Sequence, residues 1–397
     1  MTRTQAPALA RPDGAPDAAH RIVEDFVRRR SIPGLSIVIV DRQGPLFTAG
    51  YGHRDLATGD PATPETTYLW FSLTKIVTAS AALRLADDGA LDLDAPITDF
   101  LPRAGRRDST AKVRHLLNHT AGFGNPLPIR WVRPAHAPAV PSEDLLARLL
   151  GKHRGSRHEV GGAARYSNLG YLVLGAVIEA AARQSFPDYV RDTILRPLGL
   201  TGTDFTHVDP RLAATGYVKA PRAVSPLLHA VLPDGIVGPR VGGFQALNPF
   251  YVEGASYGGL VGSALDAGRF ATAHLDDGAA NGARILRSDT TRRMRQIDTP
   301  GRKIDVGQGW FRRAEHRTST PSHVEHLGAG GGFFNVMRLY PSLGLGFVVM
   351  ANTTHPYAHH ELFNDLLRLP WSSAASDERP PGVSAPQPGR HSEARRA

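Results

Sequence analysis

Ser72-Leu73-Thr74-Lys75 sets a hydroxyl and an amine three residues apart. If this segment opens a helix, the two side chains lie on one face, one turn apart. A serine hydroxyl alone is a poor nucleophile and needs a base within hydrogen-bond reach. A lysine amine can serve when burial and neighbours depress its pKa. The helix start adds a backbone N–H near the carbonyl under attack. The spacing by itself is weak evidence, because Ser109-Thr110-Ala111-Lys112 repeats it. That copy follows Arg106-Arg107-Asp108 with no long apolar helix behind it, so it reads as a solvated loop.

Two further segments could complete such a site. Tyr166-Ser167-Asn168 stands just before an apolar run from Leu169. The Tyr166 phenol could share the proton relay with Lys75, acting as a base if a cation sits close by. Asn168 could hold the lysine and donate to a substrate carbonyl. The bland alternative is a packed tyrosine with an asparagine near a helix cap. The third segment is His326-Leu327-Gly328-Ala329, followed by Gly330-Gly331-Gly332 and an apolar run from Phe333. As an edge strand facing a cleft, its glycines would let a substrate backbone approach. The N–H of Ala329 could then join that of Ser72 in an oxyanion hole. The alternative is a Gly-rich turn with an incidental histidine.

These groups need elements to position them. His20 to Arg29 has Ile22, Val23, Phe26 and Val27 on one helical face. Leu35 to Val40 and Pro45 to Tyr51 read as two strands joined at Asp41-Arg42-Gln43-Gly44. Lys75 to Leu85 is a helix stopped by Asp87-Asp88-Gly89. Pro96 to Leu101 and Val113 to Leu117 are short helices, and Leu169 to Ala182 and Leu265 to Leu275 longer ones. Residues 207 to 250 are rich in Pro and Gly, and their pattern assigns no element. Phe333 to Tyr340 and Gly344 to Met350 form a hairpin around Pro341-Ser342-Leu343, and His359 to Leu369 is a closing helix. Strands at both ends and helices between them imply an α+β fold, with one antiparallel sheet assembled from both ends and a helical insert at about 85–250. Residues 1–16 and 371–397 have too few apolar groups to pack and are expected to be disordered, leaving one domain over 17–370.

Composition narrows the rest. The chain has 397 residues, 41% hydrophobic and 21% charged, which is ordinary globular usage. The net charge of +9 could suit a nucleic acid, but the arginines are scattered and no aromatic-rich basic stripe accompanies them, so none is expected as partner. With no cysteine, disulfides, thiol catalysis and Cys-zinc sites are excluded. His355, His359, His360 and Glu361 cluster without metal-site spacing, so no metal and no cofactor are expected. No apolar run is long enough to span a membrane, and residues 1 to 20 lack a signal-peptide core, so a cytoplasmic protein is expected. The oligomeric state is left open.

Taken together and in this order, the three segments resemble the serine β-lactamase and penicillin-binding-protein family, in the branch of class C β-lactamases, D-Ala-D-Ala carboxypeptidases and family VIII esterases. Leu91-Asp92-Leu93-Asp94-Ala95-Pro96, Arg114 to Gly122 (RHLLNHTAG), Tyr166 to Gly175 (YSNLGYLVLG) and Pro197 to Leu200 (PLGL) extend the likeness over about residues 20 to 370. The resemblance implies a β-lactamase/transpeptidase-like fold, an antiparallel sheet flanked by helices with a helical lobe. It implies catalysis by Ser72, Lys75 and Tyr166, with Asn168, His326, Gly328 and Ala329 binding substrate.

Leu327 departs from the family pattern, which usually has Thr or Ser there. A site built around that hydroxyl would lose roughly 2–5 kcal/mol of polar recognition without it. With the absent signal peptide, this favours a small ester or amide substrate, and hydrolysis or acyl transfer on esters over peptidase or β-lactamase activity. Two rivals remain: an α/β-hydrolase using Gly254-Ala255-Ser256-Tyr257-Gly258, which lacks a good strand before it and a helix start after it, and a non-catalytic relative that keeps the fold for binding.

Overall fold

The computed structural model describes residues 14–102, 110–126, 128–152 and 158–371. The elements that matter for the site are α1 (Ala15–Arg30), β1 (Gly34–Val40), β2 (Pro45–Gly52), α2 (Thr74–Asp87), α3 (Asn168–Ala182), α4 (Ala264–Leu275), β3 (Ile304–Val306), β4 (Phe311–Arg313), β5 (Val324–Gly330), β6 (Phe333–Tyr340), β7 (Leu345–Ala351) and α5 (His359–Leu367). The seven strands form one sheet in the order β3-β4-β5-β6-β7-β1-β2. All neighbours are antiparallel, and β1 joins the two ends of the chain, with Ile37 opposite Val349 on one side and Ala49 on the other.

The central strands are apolar on both faces because both faces are covered. In β1, Val38 and Val40 join the core shared with α2, α3 and α4, while Leu35, Ile37 and Ile39 join a second core under α1 and α5. β7 divides in the same way: Val348 and Met350 go to the first core, Phe347, Val349 and Ala351 to the second. The period of two thus survives inside an uninterrupted apolar run. Each large aliphatic so buried contributes on the order of 1.5–3 kcal/mol.

Two expectations change. α1 begins at Ala15, itself buried, so residues 15 and 16 belong to the folded domain. The remaining expectations for the termini, at 1–13 and 372–397, fall outside the described residues, as does Ser109 of the second Ser-x-x-Lys copy. Lys112 of that copy pairs with Asp94 at 2.9 Å on the surface. The insert is not purely helical. Gly216–Lys219, Phe244–Leu247 and Val237–Val241 form a small antiparallel sheet beside the turn at Gly332. Its strands are four or five residues long, and glycine and proline interrupt Val237–Val241, so no periodicity shows.

Candidate active site

Ser72 sits at a turn, not inside the helix. Thr67–Leu69 pairs with Val261–Ser263, and the Trp70 N–H donates to the Leu260 carbonyl at 2.8 Å. Asn335 of β6 donates to the Leu69 carbonyl at 2.8 Å. The chain is therefore fixed on both sides just before the serine. Phe71 takes φ 47°, left-handed backbone that costs a bulky residue on the order of 1–3 kcal/mol and persists only where its surroundings enforce it. A single 3-10 turn, Phe71–Leu73, then leads into α2 and leaves Ser72 half-buried.

Lys75, in the first turn of α2, is wholly buried. Its Nζ lies 3.0 Å from Ser72 Oγ, 2.8 Å from Asn168 Oδ1 and 2.7 Å from the Tyr257 carbonyl. None of these partners is a carboxylate. The rings of Tyr166, Tyr257 and Tyr171 stand 5.0, 5.2 and 5.7 Å from the nitrogen. An aromatic cage favours an ammonium by about 0.5–2 kcal/mol, whereas desolvating one costs several. Burial wins, and the Lys75 pKa falls well below its ordinary value. A neutral amine has two N–H groups and one lone pair. In that form Asn168 Oδ1 and the Tyr257 carbonyl, both pure acceptors, would take the two N–H groups and leave the lone pair for the Ser72 hydroxyl.

The second segment arrives through a helix cap. Ser167 is extended, and its Oγ accepts the Gly170 N–H at 2.9 Å, making it the N-cap of α3. Asn168 thereby becomes the first helical residue, its amide nitrogen donating to Asn125 Oδ1 at 3.0 Å and its side chain held against Lys75. Tyr166, the residue before the cap, shares a hydrogen bond with Ser72. Burial raises the phenol pKa above its ordinary value, and the Ser72 hydrogen bond only partly offsets that. Burial thus opposes the phenolate considered from the sequence. Tyr166 stands at Ser72 as an un-ionised phenol.

The third segment is β5, against the serine turn. β4 meets β5 only at Phe311 opposite Glu325, so from His326 onward that edge of β5 has no partner strand among the described residues. A Cβ on Gly328 would lie 2.1 Å from the Trp70 carbonyl, and one on Gly330 2.0 Å from the Phe71 ring. These glycines let β5 approach the turn so closely. Ala329 is exposed. His326 is buried with Nδ1 2.9 Å from the Leu327 carbonyl, which makes Nδ1 the donor and leaves Nε2 a lone pair. Burial pushes its pKa down to about 3, so it is uncharged at neutral pH. Leu327 packs with Ala164, Val306 and Phe311 and on the core under α1 and α5. Its side chain belongs to an apolar patch.

All seven residues singled out from the sequence lie on these three converging segments. Sequence reasoning missed two contributors. One is the Tyr257 carbonyl, which lies in the Gly254–Gly258 motif weighed as a rival nucleophile. That motif folds as a short helix, Ala255–Gly258, after an antiparallel strand, not as a parallel strand-to-helix elbow. Ser256 is buried, its Oγ directed at Gly175 and its carbonyl accepting from Thr78 at 2.6 Å. A main-chain carbonyl carries no residue-type signal, so only the fold could reveal it. The other is Phe71, whose conformation no local pattern announces. Among the described residues no group of three or more His, Asp or Glu side chains has the arrangement of a metal site, and no helix is long and apolar enough to cross a membrane.

Comparison with known proteins identifies the family and the fold. Penicillin-binding protein 4 of Amycolatopsis lactamdurans is 29% identical over 359 residues, 85% of this chain and 84% of that protein. The structure of SurE with D-Leu is 27% identical with a TM-score of 0.65, covering 90% of this chain and 75% of that one. EstCE1, a hydrolase with promiscuous acyltransferase activity, shares the fold at 22% identity and a TM-score of 0.70, covering 89% and 97%. The Beta-lactamase family model matches residues 19–369, nearly every described residue, and the chain belongs to that family.

Proposed function

We propose that the protein is a serine hydrolase or acyltransferase that works through an acyl-enzyme on Ser72, with small uncharged esters as substrates. The observation that carries this reading is the Lys75 nitrogen, buried and 3.0 Å from Ser72 Oγ with its other partners both acceptors. The Ser72 proton passes to Lys75 as Oγ bonds to the acyl carbon. The resulting oxyanion is held by the N–H groups of Ser72 and Ala329. The C–O bond of the ester then breaks, and the proton travels from Lys75 through Tyr166 to the departing alkoxide. Water, or an acceptor alcohol or amine, repeats these steps in reverse and frees Ser72. Asn168 keeps the lysine aimed throughout, while His326, Gly328 and Ala329 form the wall along which the substrate lies.

Substrate charge separates esters from the penicillin-like alternatives. β-Lactams and D-Ala-D-Ala peptides carry a carboxylate that a charged third motif would grip. Here His326 is uncharged and Lys75 spends its hydrogens on protein acceptors, which favours substrates without a carboxylate near the reacting carbonyl. An amide of a D-amino acid is the second reading, favoured by the D-leucine in the related SurE structure.

Fluorophosphonate labelling tests the core of the proposal. The wild type should gain the mass of one phosphonyl group, and Ser72→Ala should gain none. An unlabelled wild type would instead favour a non-catalytic relative that binds through the same crevice. A chain-length series of p-nitrophenyl esters beside nitrocefin and a D-Ala-D-Ala peptide tests the substrate. Short esters should be cleaved and nitrocefin scarcely at all.

A further inference from the structure

His119 lies just after the short helix Val113–Leu117, and the chemistry above does not use it. Its backbone has φ 59°, and its ring is buried. It contacts the chain on both sides of Tyr166. The His119 carbonyl accepts the Arg165 N–H at 2.9 Å, and the His119 Nδ1 accepts the Ser167 N–H at 3.2 Å. Between those two bonds its ring lies against Tyr166, with centroids 4.7 Å apart and planes tilted 36°. On its other contact it lies 4.9 Å from Tyr171. A single residue thus fixes the peptide before Tyr166, the peptide after it and the ring itself.

We infer that His119, as the neutral tautomer with its proton on Nε2, is a positioning residue that holds the Tyr166 phenol in register with Ser72. The tautomer follows from the hydrogen bond: a backbone N–H needs a lone pair, so Nδ1 is unprotonated. A protonated ring would set two donors, Nδ1–H and the Ser167 N–H, against each other and open that side of the clamp. The surroundings guard against this. Burial holds the His119 pKa well below its ordinary value. The left-handed backbone is part of the device, because it lets carbonyl and ring reach opposite sides of one residue, and it limits which replacements the position accepts. Asparagine adopts this conformation more readily than most residues, and its Oδ1 can stand where Nδ1 stands.

The inference rests on the proposed Ser72 chemistry, and the test separates the two. Fluorophosphonate labelling rate and p-nitrophenyl ester kinetics are measured for wild type, His119→Asn and His119→Phe, with melting temperatures alongside. His119→Phe keeps a ring against Tyr166 but removes the acceptor, so kcat should fall about a hundredfold with KM little changed, as a misplacement of about 1 Å does. His119→Asn should recover most of that loss. A labelled wild type with His119→Phe as fast as wild type overturns the positioning role, and so does a His119→Asn no better than His119→Phe. If wild type is not labelled, the Ser72 reading fails first. Should His119→Phe not fold, the nitrogen-15 spectrum of wild-type His119 decides: an unprotonated Nδ1 down to pH 5 supports the clamp, and a protonated one overturns it.

Discussion

Replacing Lys75 with methionine should abolish activity and make the dependence of stability on pH flatter, a combination that tests whether the amine is neutral. An amine with a depressed folded-state pKa binds its proton in the unfolded chain but not in the folded one. Folding then releases a proton everywhere between the lowered pKa and the ordinary value of 10.5. In that window the unfolded state binds more protons, so wild-type stability rises with pH, by at most about 1.4 kcal/mol per pH unit for one group. Lys75→Met removes this group and leaves every other titrating residue in place, so the difference between the two proteins isolates it. The variant also strips the donors from Asn168 Oδ1 and the Tyr257 carbonyl, each worth about 1–3 kcal/mol when left unpaired. That loss does not vary with pH. Denaturant unfolding at several pH values from 7 to 9.5 should therefore show wild type gaining on the variant steadily as pH rises. Parallel curves would mean that Lys75 folds as an ammonium, and the assignment of the base would be refuted.

Further outcomes are expected. Lys75→Arg keeps a cation that never deprotonates, and ester turnover should fall about 10²–10⁴-fold, the usual contribution of a general base. Gly328→Ala forces a Cβ to within 2.1 Å of the Trp70 carbonyl, so β5 must retreat; a loss of about 1–3 kcal/mol in stability should accompany a drop in kcat, read from melts and ester kinetics on the same sample. The Glu325 carboxylate is fully buried and bonded by Arg338 at 2.6 and 2.9 Å. Burial would raise its pKa, but His359 and Arg338 outweigh that and hold it below the ordinary value. Its contribution is thus present above the ordinary carboxylate pKa and lost as pH falls through the lowered one. Arg338→Met strands the charge and should cost about 3–5 kcal/mol near pH 7, with the deficit narrowing towards pH 4 as the carboxyl protonates; an unchanged deficit would show that the ion pair is not its cause.

The sequence by itself determined the elements whose patterns are local. The hairpins at both ends, α2 after Ser72, α3 after Tyr166 and the apolar stripe of α1 all appear where periodicity and turn residues put them, because each needs only neighbours along the chain. It also supplied the candidate site residues, since Ser72, Lys75, Tyr166 and His326 announce themselves by residue type and by the shared order of their segments. Tertiary structure decided what those groups are. The Lys75 pKa is depressed because α3 and the Gly254–Gly258 turn bury the amine with two acceptors and no acid, which is what the proposed role as base needs. Tyr166 stays protonated for the same reason. Leu327 turned out to fill an apolar patch, and a discarded motif turned out to hold the lysine through a carbonyl. Charge state, close approach and main-chain partners depend on desolvation and distance between segments far apart along the chain, and no local window contains those quantities.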